Sequence, residues 1–281
     1  MTPAPASGGA ITVERLSVRH RDKTREVDAL CDVELSIAAG EFVTILGPSG
    51  CGKSTLLGAM GGFVRPVSGS VTVDGVVVDR PGPRLGMVFQ QQSLFPWRTV
   101  IDNVAFGLKM RGVRANERRR EAMAMIDLVG LTGFDDVYPA QLSGGMQHRA
   151  EIARVLVNRP TALLMDEPFG ALDAQTRASM QELLLGIWAR LKTTIVFVTH
   201  DIDEAIFLGD RVVMMTGRPG SVGWQRTVDI ERPRLADVMT SPGFLEMKRE
   251  CASRLRSPGV GTREATPATF GAAVAAARVA T

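Results

Sequence analysis

The sequence is short of cysteine and aromatic residues, and it has no long hydrophobic run. Its three cysteines are odd in number and far apart, at Cys31, Cys51 and Cys251. This spacing fits neither a disulfide framework nor a metal site, and it favours a reducing cytoplasm. No apolar run approaches the roughly 20 residues of a membrane-spanning helix. We therefore expect any membrane role to come through a partner protein.

The sequence also has nearly equal numbers of basic and acidic residues. The 33 basic and 30 acidic residues leave a formal net charge of +3, so we expect no nucleic-acid partner. Hydrophobic residues make up 45% of the 281-residue chain, which is enough for a substantial core. Residues 1–9 are rich in Pro, Ala, Ser and Gly. We expect them to form a disordered tail without a signal peptide.

The order of apolar patterns predicts an α/β protein with a helical insertion. Two β-like runs, ITVERLSV and DVELSIAAGEFVTILG, precede a glycine-rich turn, and SGSVTVDGVVVD reads as a hairpin turning at Asp74-Gly75. Helical periodicity follows from about residue 91 to 160, and strands then alternate with helices. That alternation favours a parallel sheet. WQRTVDI and PGFLEMKRECASRL are a candidate late strand and a candidate late helix.

The glycine-rich turn matches the phosphate-loop pattern G-x-x-x-x-G-K-[ST]. It follows a β run and precedes a helix pattern, which is the context that this motif requires. Its glycines allow backbone N–H groups to surround phosphate oxygens, Lys53 suits the β and γ phosphates, and Ser54 suits Mg²⁺. Alone, the loop is compatible with kinases, GTPases and motor ATPases. The candidate nucleotide contacts are Gly47, Pro48, Ser49, Gly50, Cys51, Gly52, Lys53, Ser54 and Thr55.

Other candidate residues follow apolar β runs. Asp166 ends ALLMD, where a carboxylate suits Mg²⁺, and the next residue, Glu167, is a candidate base for the attacking water. His200 ends IVFVTH and could bind the γ-phosphate. Gln90 ends GMVFQ, and its amide could reach Mg²⁺ or the water. We therefore predict Glu167, His200 and Gln90 as catalytic residues and Ser54, Gln90 and Asp166 as metal ligands.

A second glycine-rich helix start, Leu142–Met146 (LSGGM), is not explained by the phosphate loop. Together with that loop, Gln90, Asp166-Glu167, the Ala171-Leu172-Asp173 step and His200, it resembles the ATP-binding subunit of ABC transporters. The resemblance implies an ATPase that uses ATP and Mg²⁺. It also implies the P-loop NTPase fold, with a RecA-like α/β core, an antiparallel β subdomain and an inserted α-helical subdomain.

The same resemblance implies the domain limits and a homodimer. We expect the ABC ATPase domain at residues 10–234, its helical subdomain at about 91–160, and a C-terminal helix and low-complexity tail at 235–281. In the family two subunits pack head to tail, with each ATP between one phosphate loop and the other subunit's signature. Asp173 would help communicate across that interface. The residues acting in trans would be Ser143, Gly144 and Gly145.

Two further stretches resemble the nitrate, sulfonate and taurine branch of importer ATPases. These are Phe95-Pro96-Trp97 and the turn Thr216-Gly217-Arg218-Pro219-Gly220. The branch implies two membrane permease subunits, an external solute-binding protein and a peripheral position on the cytoplasmic face of the cell membrane. The solute would be nitrate, taurine or an aliphatic sulfonate. A soluble ABC-type ATPase without a transporter is the alternative.

Three positions depart from the family pattern or add to it. His20 stands where an aromatic residue would stack on adenine, so we expect a weaker hold on the base. His148 replaces a frequent Gln in the signature helix. Cys51 lies inside the phosphate loop at a helix N-terminus, a position that can lower the pKa of a thiol. We therefore expect alkylation of Cys51 to block ATPase activity.

Overall fold

The computed structural model describes residues 8–22, 25–91 and 93–256. Most of the predicted N-terminal tail, at residues 1–7, and the predicted tail beyond residue 256 lie outside these described residues. The described chain divides into two compact units. The first unit comprises residues 8–9, 39–41 and 83–197, and the second comprises residues 10–38, 42–82 and 198–256.

Strands and helices follow the predicted order. The strands are β1 Ile11–Asp22, β2 Arg25–Ile37, β3 Phe42–Leu46, β4 Ser68–Val73, β5 Val76–Val77, β6 Leu85–Val88, β7 Ala162–Asp166, β8 Thr194–Thr199, β9 Arg211–Thr216 and β10 Ser221–Thr227. The helices are α1 Lys53–Met60, α2 Val100–Val104, α3 Phe106–Met110, α4 Ala115–Leu128, α5 Gly144–Leu156, α6 Ala174–Leu191, α7 Ile202–Leu208 and α8 Pro242–Arg256. Short 3-10 helices lie at Pro139–Gln141 and Ala236–Thr240.

The second unit contains an antiparallel sheet in the order β2-β1-β4-β5. The predicted hairpin between β4 and β5 is confirmed, with Val73 paired to Val76. Asp74 and Gly75 have φ angles of 51° and 73°, which is the backbone that a two-residue hairpin turn needs. The run DVELSIAAGEFVTILG is not one strand, because a turn at residues 38–41 separates β2 from β3.

A second set of strands in this unit supports the phosphate loop. β3 pairs with β9 in parallel, and β9 pairs with β10 in antiparallel. All five residues of β3 are buried, as expected for a strand covered on both faces. Helix α7 packs on β3 and β9, and α8 packs on α7. Helix α8 is the late helix predicted from the sequence. The predicted late strand corresponds to β10, which begins and ends three residues earlier than WQRTVDI.

The first unit joins three strands to the helices α2 to α6. Its strand order is β8-β7-β6, with β6 and β7 parallel, while the last two residues of β8 belong to the second unit. Helices α2 to α5 all lie within the stretch 91–160 for which the sequence predicted helices. Among the helices of the described residues, none combines the length and apolar character needed to cross a membrane.

Candidate nucleotide-binding site

The phosphate loop, Gly47–Thr55, connects strand β3 to helix α1 in the second unit. Gly50 and Gly52 have φ angles of 77° and 95°, in the left-handed region that glycine adopts without strain. A Cβ atom on Gly52 would lie 2.7 Å from the Leu30 Cδ2 atom. Glycine is therefore required at position 52 by both conformation and packing, and the loop can turn tightly into α1.

Lys53 is held against the loop that precedes it. Its side chain is buried, and its Nζ donates hydrogen bonds to the carbonyl oxygens of Gly47 and Pro48, at 2.8 and 3.2 Å. The ammonium group thus lies at the centre of the loop, where its positive charge suits phosphate oxygens. Ser54 and Thr55 follow in the first turn of α1 and are half-buried.

His20 and Arg218 lie beside the phosphate loop. The His20 Nε2 atom is 3.1 Å from Thr55 Oγ1, so its imidazole is next to the loop, and its role in adenine stacking stays a prediction. Arg218 donates a hydrogen bond to the Ser49 carbonyl oxygen at 3.0 Å. Arg218 is not among the site residues predicted from the sequence. The one sequence feature that pointed to it was its position in the turn 216–220.

The expectation that the helix N-terminus lowers the pKa of the Cys51 thiol is wrong. Its side chain is only 2% exposed. Burial raises the pKa of the thiol, although the nearby charges of Lys53 and Arg218 act in the opposite direction. Desolvation of a thiolate outweighs the helix N-terminus because the sulfur lies inside the loop. The Cys51 side chain therefore packs inside the phosphate loop, and we expect its thiol to react slowly.

His200 follows β8 and precedes α7, and its side chain is exposed. The residues around it are firmly held. Thr199 Oγ1 donates to Glu204 Oε2 at 2.6 Å, and Asp201 caps α7 by accepting a hydrogen bond from the Glu204 N–H at 3.1 Å. These bonds set the backbone on both sides of His200 while its imidazole faces outwards.

The first unit carries Gln90 and the two acidic residues. Val88 of β6 is paired in parallel with Met165 of β7, so Gln90 and Asp166 follow at the same edge of the two strands. Asp166 is buried. Glu167 has a φ angle of 43°, a left-handed conformation that costs a non-glycine residue about 1 kcal/mol. Such strain is concentrated at functional sites.

The signature begins helix α5. Ser143 is the N-cap residue and accepts a hydrogen bond from the Met146 N–H at 3.4 Å. Gly144 is exposed, and a Cβ atom there would meet no described atom within 4 Å. The first N–H groups of a helix have no acceptor within the helix and suit anions. The His148 Nδ1 atom is 2.9 Å from the Gly144 carbonyl oxygen.

Asp173 lies next to the signature. It caps helix α6 by accepting a hydrogen bond from the Thr176 N–H at 3.0 Å. Hydrogen bonds from Thr176, first from its side chain and then from its backbone N–H, lower the pKa of the Asp173 carboxyl group. A Cβ atom on Gly145 would lie 2.6 Å from Thr176 Cγ2. The structure therefore brings the starts of α5 and α6 together within the first unit.

The predicted metal ligands have the chemistry that Mg²⁺ prefers. Ser54, Gln90 and Asp166 offer a hydroxyl, an amide and a carboxylate oxygen, and Asp166 is buried. Within residues 8–22, 25–91 and 93–256, no group of three or more His, Cys, Asp or Glu side chains could hold a metal ion. Each of these groups is an oxygen ligand of the kind that Mg²⁺ takes in nucleotide complexes, where one or two protein oxygens bind the ion together with phosphates and water.

A phosphate loop that joins a buried strand to a helix is the defining feature of P-loop nucleoside triphosphatases. The chain is therefore a protein of this class. The family follows from comparison, because the family model "ABC transporter" matches residues 30–170. The chain belongs to the ABC transporter family and is an ABC-type ATPase.

Individual relatives agree with this family. The chain is 48% identical to the taurine import ATP-binding protein of Rhizobium johnstonii, over 83% of this chain and 91% of that protein. It is 46% identical to the nitrate import ATP-binding protein of Synechocystis sp., over 83% of this chain and 90% of that protein. A dimeric ATP-binding cassette in a post-hydrolysis state, bound to ADP and phosphate, matches with a TM-score of 0.69 and 32% identity, covering 79% of this chain and all of that chain.

Proposed function

We propose that this chain is the ATP-hydrolysing subunit of an importer for a small anionic or sulfonated solute, with nitrate, taurine and aliphatic sulfonates as the candidates. The observation that carries this proposal is its identity of 46–48%, over most of both chains, with ATP-binding proteins of nitrate and taurine import. A soluble ABC-type ATPase is not favoured, because these relatives are import proteins. We further propose that the ATPase domain spans residues 10–234, with a helical subdomain at about 91–160 and a C-terminal region at 235–281.

Each predicted site residue has a role in hydrolysis that its chemistry supports. The phosphate-loop N–H groups and Lys53 bind the ATP phosphates, and His200 binds the γ-phosphate. Glu167 accepts a proton from the attacking water, and Gln90 orients that water. Ser54, Gln90 and Asp166 are the proposed ligands of Mg²⁺, which neutralises phosphate charge when bound.

The signature acts in trans in a homodimer. Ser143, Gly144 and Gly145 present the N-terminus of α5 to the γ-phosphate bound by the partner subunit. The exposure of Ser143 and Gly144 supports this role. Each ATP then joins two surfaces that separate after hydrolysis, and this two-state behaviour is what a transport cycle requires.

The segment after Gln90 and the helical region receive the two permease subunits, which places the ATPase on the cytoplasmic face of the membrane. Trp97 supports this docking surface, because it is 70% exposed at the Phe95-Pro96-Trp97 step. A large exposed aromatic residue is typical of a protein contact. An external solute-binding protein delivers the solute to the permease.

Two substitutions test the ATPase roles separately. Lys53→Ala removes the charge at the phosphates, so we expect ATP affinity to fall about tenfold or more. Glu167→Gln leaves binding intact but lowers kcat about 100-fold, because the water loses its base. Nucleotide titration and phosphate release measure the two effects. Hydrolysis at the parent rate by Glu167→Gln protein would exclude Glu167 as the base.

Growth of a deletion strain tests the solute. We expect cells without this gene to lose growth on taurine or an alkanesulfonate as sole sulfur source, or on nitrate as sole nitrogen source. Restoring the parent gene should restore growth, whereas the Lys53→Ala gene should not. Unchanged growth on all three solutes would contradict the proposed solute class.

A further inference from the structure

Helix α5 contains a buried ionic cluster that its role in the signature does not explain. The Glu151 side chain is fully buried, and Arg154 is 16% exposed with its NH2 atom 3.8 Å from Glu151 Oε1. Burial raises the pKa of Glu151, and the Ser93 hydrogen bonds and the Arg154 charge partly oppose this shift. Burying a carboxylate has a large desolvation cost. The hydrogen bonds that Glu151 makes offset this cost, and they show which part of the chain it fixes in place.

Both charged residues bind Ser93, which lies three positions after Gln90. Glu151 Oε1 accepts hydrogen bonds from the Ser93 N–H, at 3.1 Å, and from its hydroxyl. Arg154 donates to the Ser93 carbonyl oxygen at 2.7 Å and also to Ser93 Oγ. The backbone N–H, the backbone carbonyl and the side chain of Ser93 are thus all bonded to one helix.

The bonds to Ser93 continue into the exposed aromatic step. The Arg154 guanidinium lies 5.4 Å from the centre of the Phe95 ring, and that ring lies 5.7 Å from the Trp97 ring. Asn103 accepts a hydrogen bond from the Phe95 N–H at 2.8 Å and donates to the Phe95 carbonyl oxygen at 3.1 Å. Residues 93–97, here called the docking segment, are therefore held at both Ser93 and Phe95.

At its other end, the same helix carries the signature. Glu151 is eight residues after Ser143, which corresponds to about 12 Å along a helix. The His148 Nδ1 atom is 2.9 Å from the Gly144 carbonyl oxygen, one turn before Glu151. A shift of the docking segment that left α5 in place would break buried, charge-assisted bonds, which are among the strongest polar contacts in proteins.

We propose that Glu151 and Arg154 are positioning residues that couple the docking segment to the signature, so that the two move as one body with α5. This inference rests on the proposed function, since only a docked permease gives the docking segment a signal to transmit. Neither residue is assigned to nucleotide binding. Their loss therefore releases the docking segment from α5, and so from the signature, without removing ATP binding.

Hydrogen exchange in the full chain tests this coupling. In Glu167→Gln protein, we expect ATP to slow amide exchange both at the start of α5 and in a peptide covering residues 93–99, by about fivefold or more. With Glu151→Ala added, ATP should still slow exchange at the start of α5 but no longer in the 93–99 peptide. Glu151→Gln keeps an acceptor oxygen and should restore part of the response.

Two further variants complete the design. Ser93→Ala removes the hydroxyl that both charged residues bind but leaves the two backbone bonds of Ser93 to Glu151 and Arg154. We therefore expect the ATP response of residues 93–99 to be reduced rather than lost, and this variant keeps the test valid if Glu151→Ala does not fold. Glu182→Ala changes an exposed glutamate on α6 and is the matched control, with the full ATP response. A full ATP response of residues 93–99 in both Glu151→Ala and Ser93→Ala protein would overturn the coupling. So would Glu167→Gln protein in which ATP slows exchange at the start of α5 but not in residues 93–99. An absent ATP effect at the start of α5 would instead contradict the proposed function.

Discussion

At the scale of single residues, environment outweighs the intrinsic chemistry of a side chain. Cys51 occupies a position that lowers the pKa of an exposed thiol, yet burial raises its pKa. Glu167, one residue beyond β7, adopts a left-handed backbone, which turns its side chain away from the alternation of the strand. The phosphate loop and the end of β7 therefore take their chemistry from the fold around them.

The three cysteines provide a test of burial. Cys31 is exposed, whereas Cys51 and Cys251 are buried, and burial raises the pKa of Cys251 to about 11. A raised pKa leaves little thiolate at pH 8, so we expect iodoacetamide to alkylate Cys31 about tenfold faster or more than either buried cysteine. Peptide mass spectrometry measures the three rates. In urea the rates should become equal, and rapid alkylation of Cys51 in the folded protein would contradict its burial.

At the scale of elements, a buried arginine holds the helix that follows His200. Arg234 is 4% exposed and donates hydrogen bonds to the carbonyl oxygens of Ile206, Phe207 and Gly209, at 2.9, 3.1 and 2.7 Å. Its desolvation lowers the pKa of the guanidinium to about 10. These carbonyls end α7, where a positive charge is favourable because of the helix dipole.

Replacing this arginine should destabilise the second unit. Arg234→Met preserves most of the volume but leaves the last carbonyls of α7 without their donors, so we expect a loss of about 3 kcal/mol in the free energy of unfolding. Urea denaturation followed by circular dichroism measures the change. Arg249→Met, at an exposed position on α8, is the control and should change stability by less than about 0.5 kcal/mol. Equal effects of the two substitutions would contradict the capping role.

At the scale of the whole molecule, the proposed homodimer explains why one chain has two glycine-rich helix starts. The phosphate loop begins α1 in the second unit, and the signature begins α5 in the first unit. Head-to-tail pairing uses both starts in each composite site. In a monomer the signature would have no phosphate to bind, because its proposed ligand is the ATP held by the partner subunit.

Gly144→Asp tests the dimer without disturbing the fold. A side chain at Gly144 enters open space, and an acidic residue in the first turn of a helix is stabilising. Its charge repels the γ-phosphate of the partner's ATP. In Glu167→Gln protein, we expect ATP affinity of the monomer to stay within about twofold while ATP-dependent dimerisation is lost. Light scattering after size exclusion measures the dimer, and undiminished dimerisation would exclude the role in trans.

Gly144→Ala serves as the steric control for that experiment. It adds a methyl group without charge, so ATP-dependent dimerisation should weaken less than with Gly144→Asp. This difference separates electrostatic repulsion of phosphate from simple crowding at the start of α5.

Local sequence patterns predicted the element types and the turn that the phosphate loop makes into α1. The Asp74-Gly75 turn, the phosphate loop and the helices within residues 91–160 depend on backbone conformations and periodicities that neighbouring residues specify. The family of the chain also follows from motifs in a fixed order. These features can be read from a sequence because their interactions extend over only a few residues.

Other features depended on contacts between distant residues. Arg218 reaches Ser49 from 169 positions away, and Ser93 binds Glu151 from 58 positions away. Burial of Cys51 likewise depends on packing around the phosphate loop. The sequence by itself determined which groups could bind phosphate, metal and water. Only the tertiary structure decided which side chains were desolvated and which were brought into contact, because burial and long-range hydrogen bonds arise when separate elements pack.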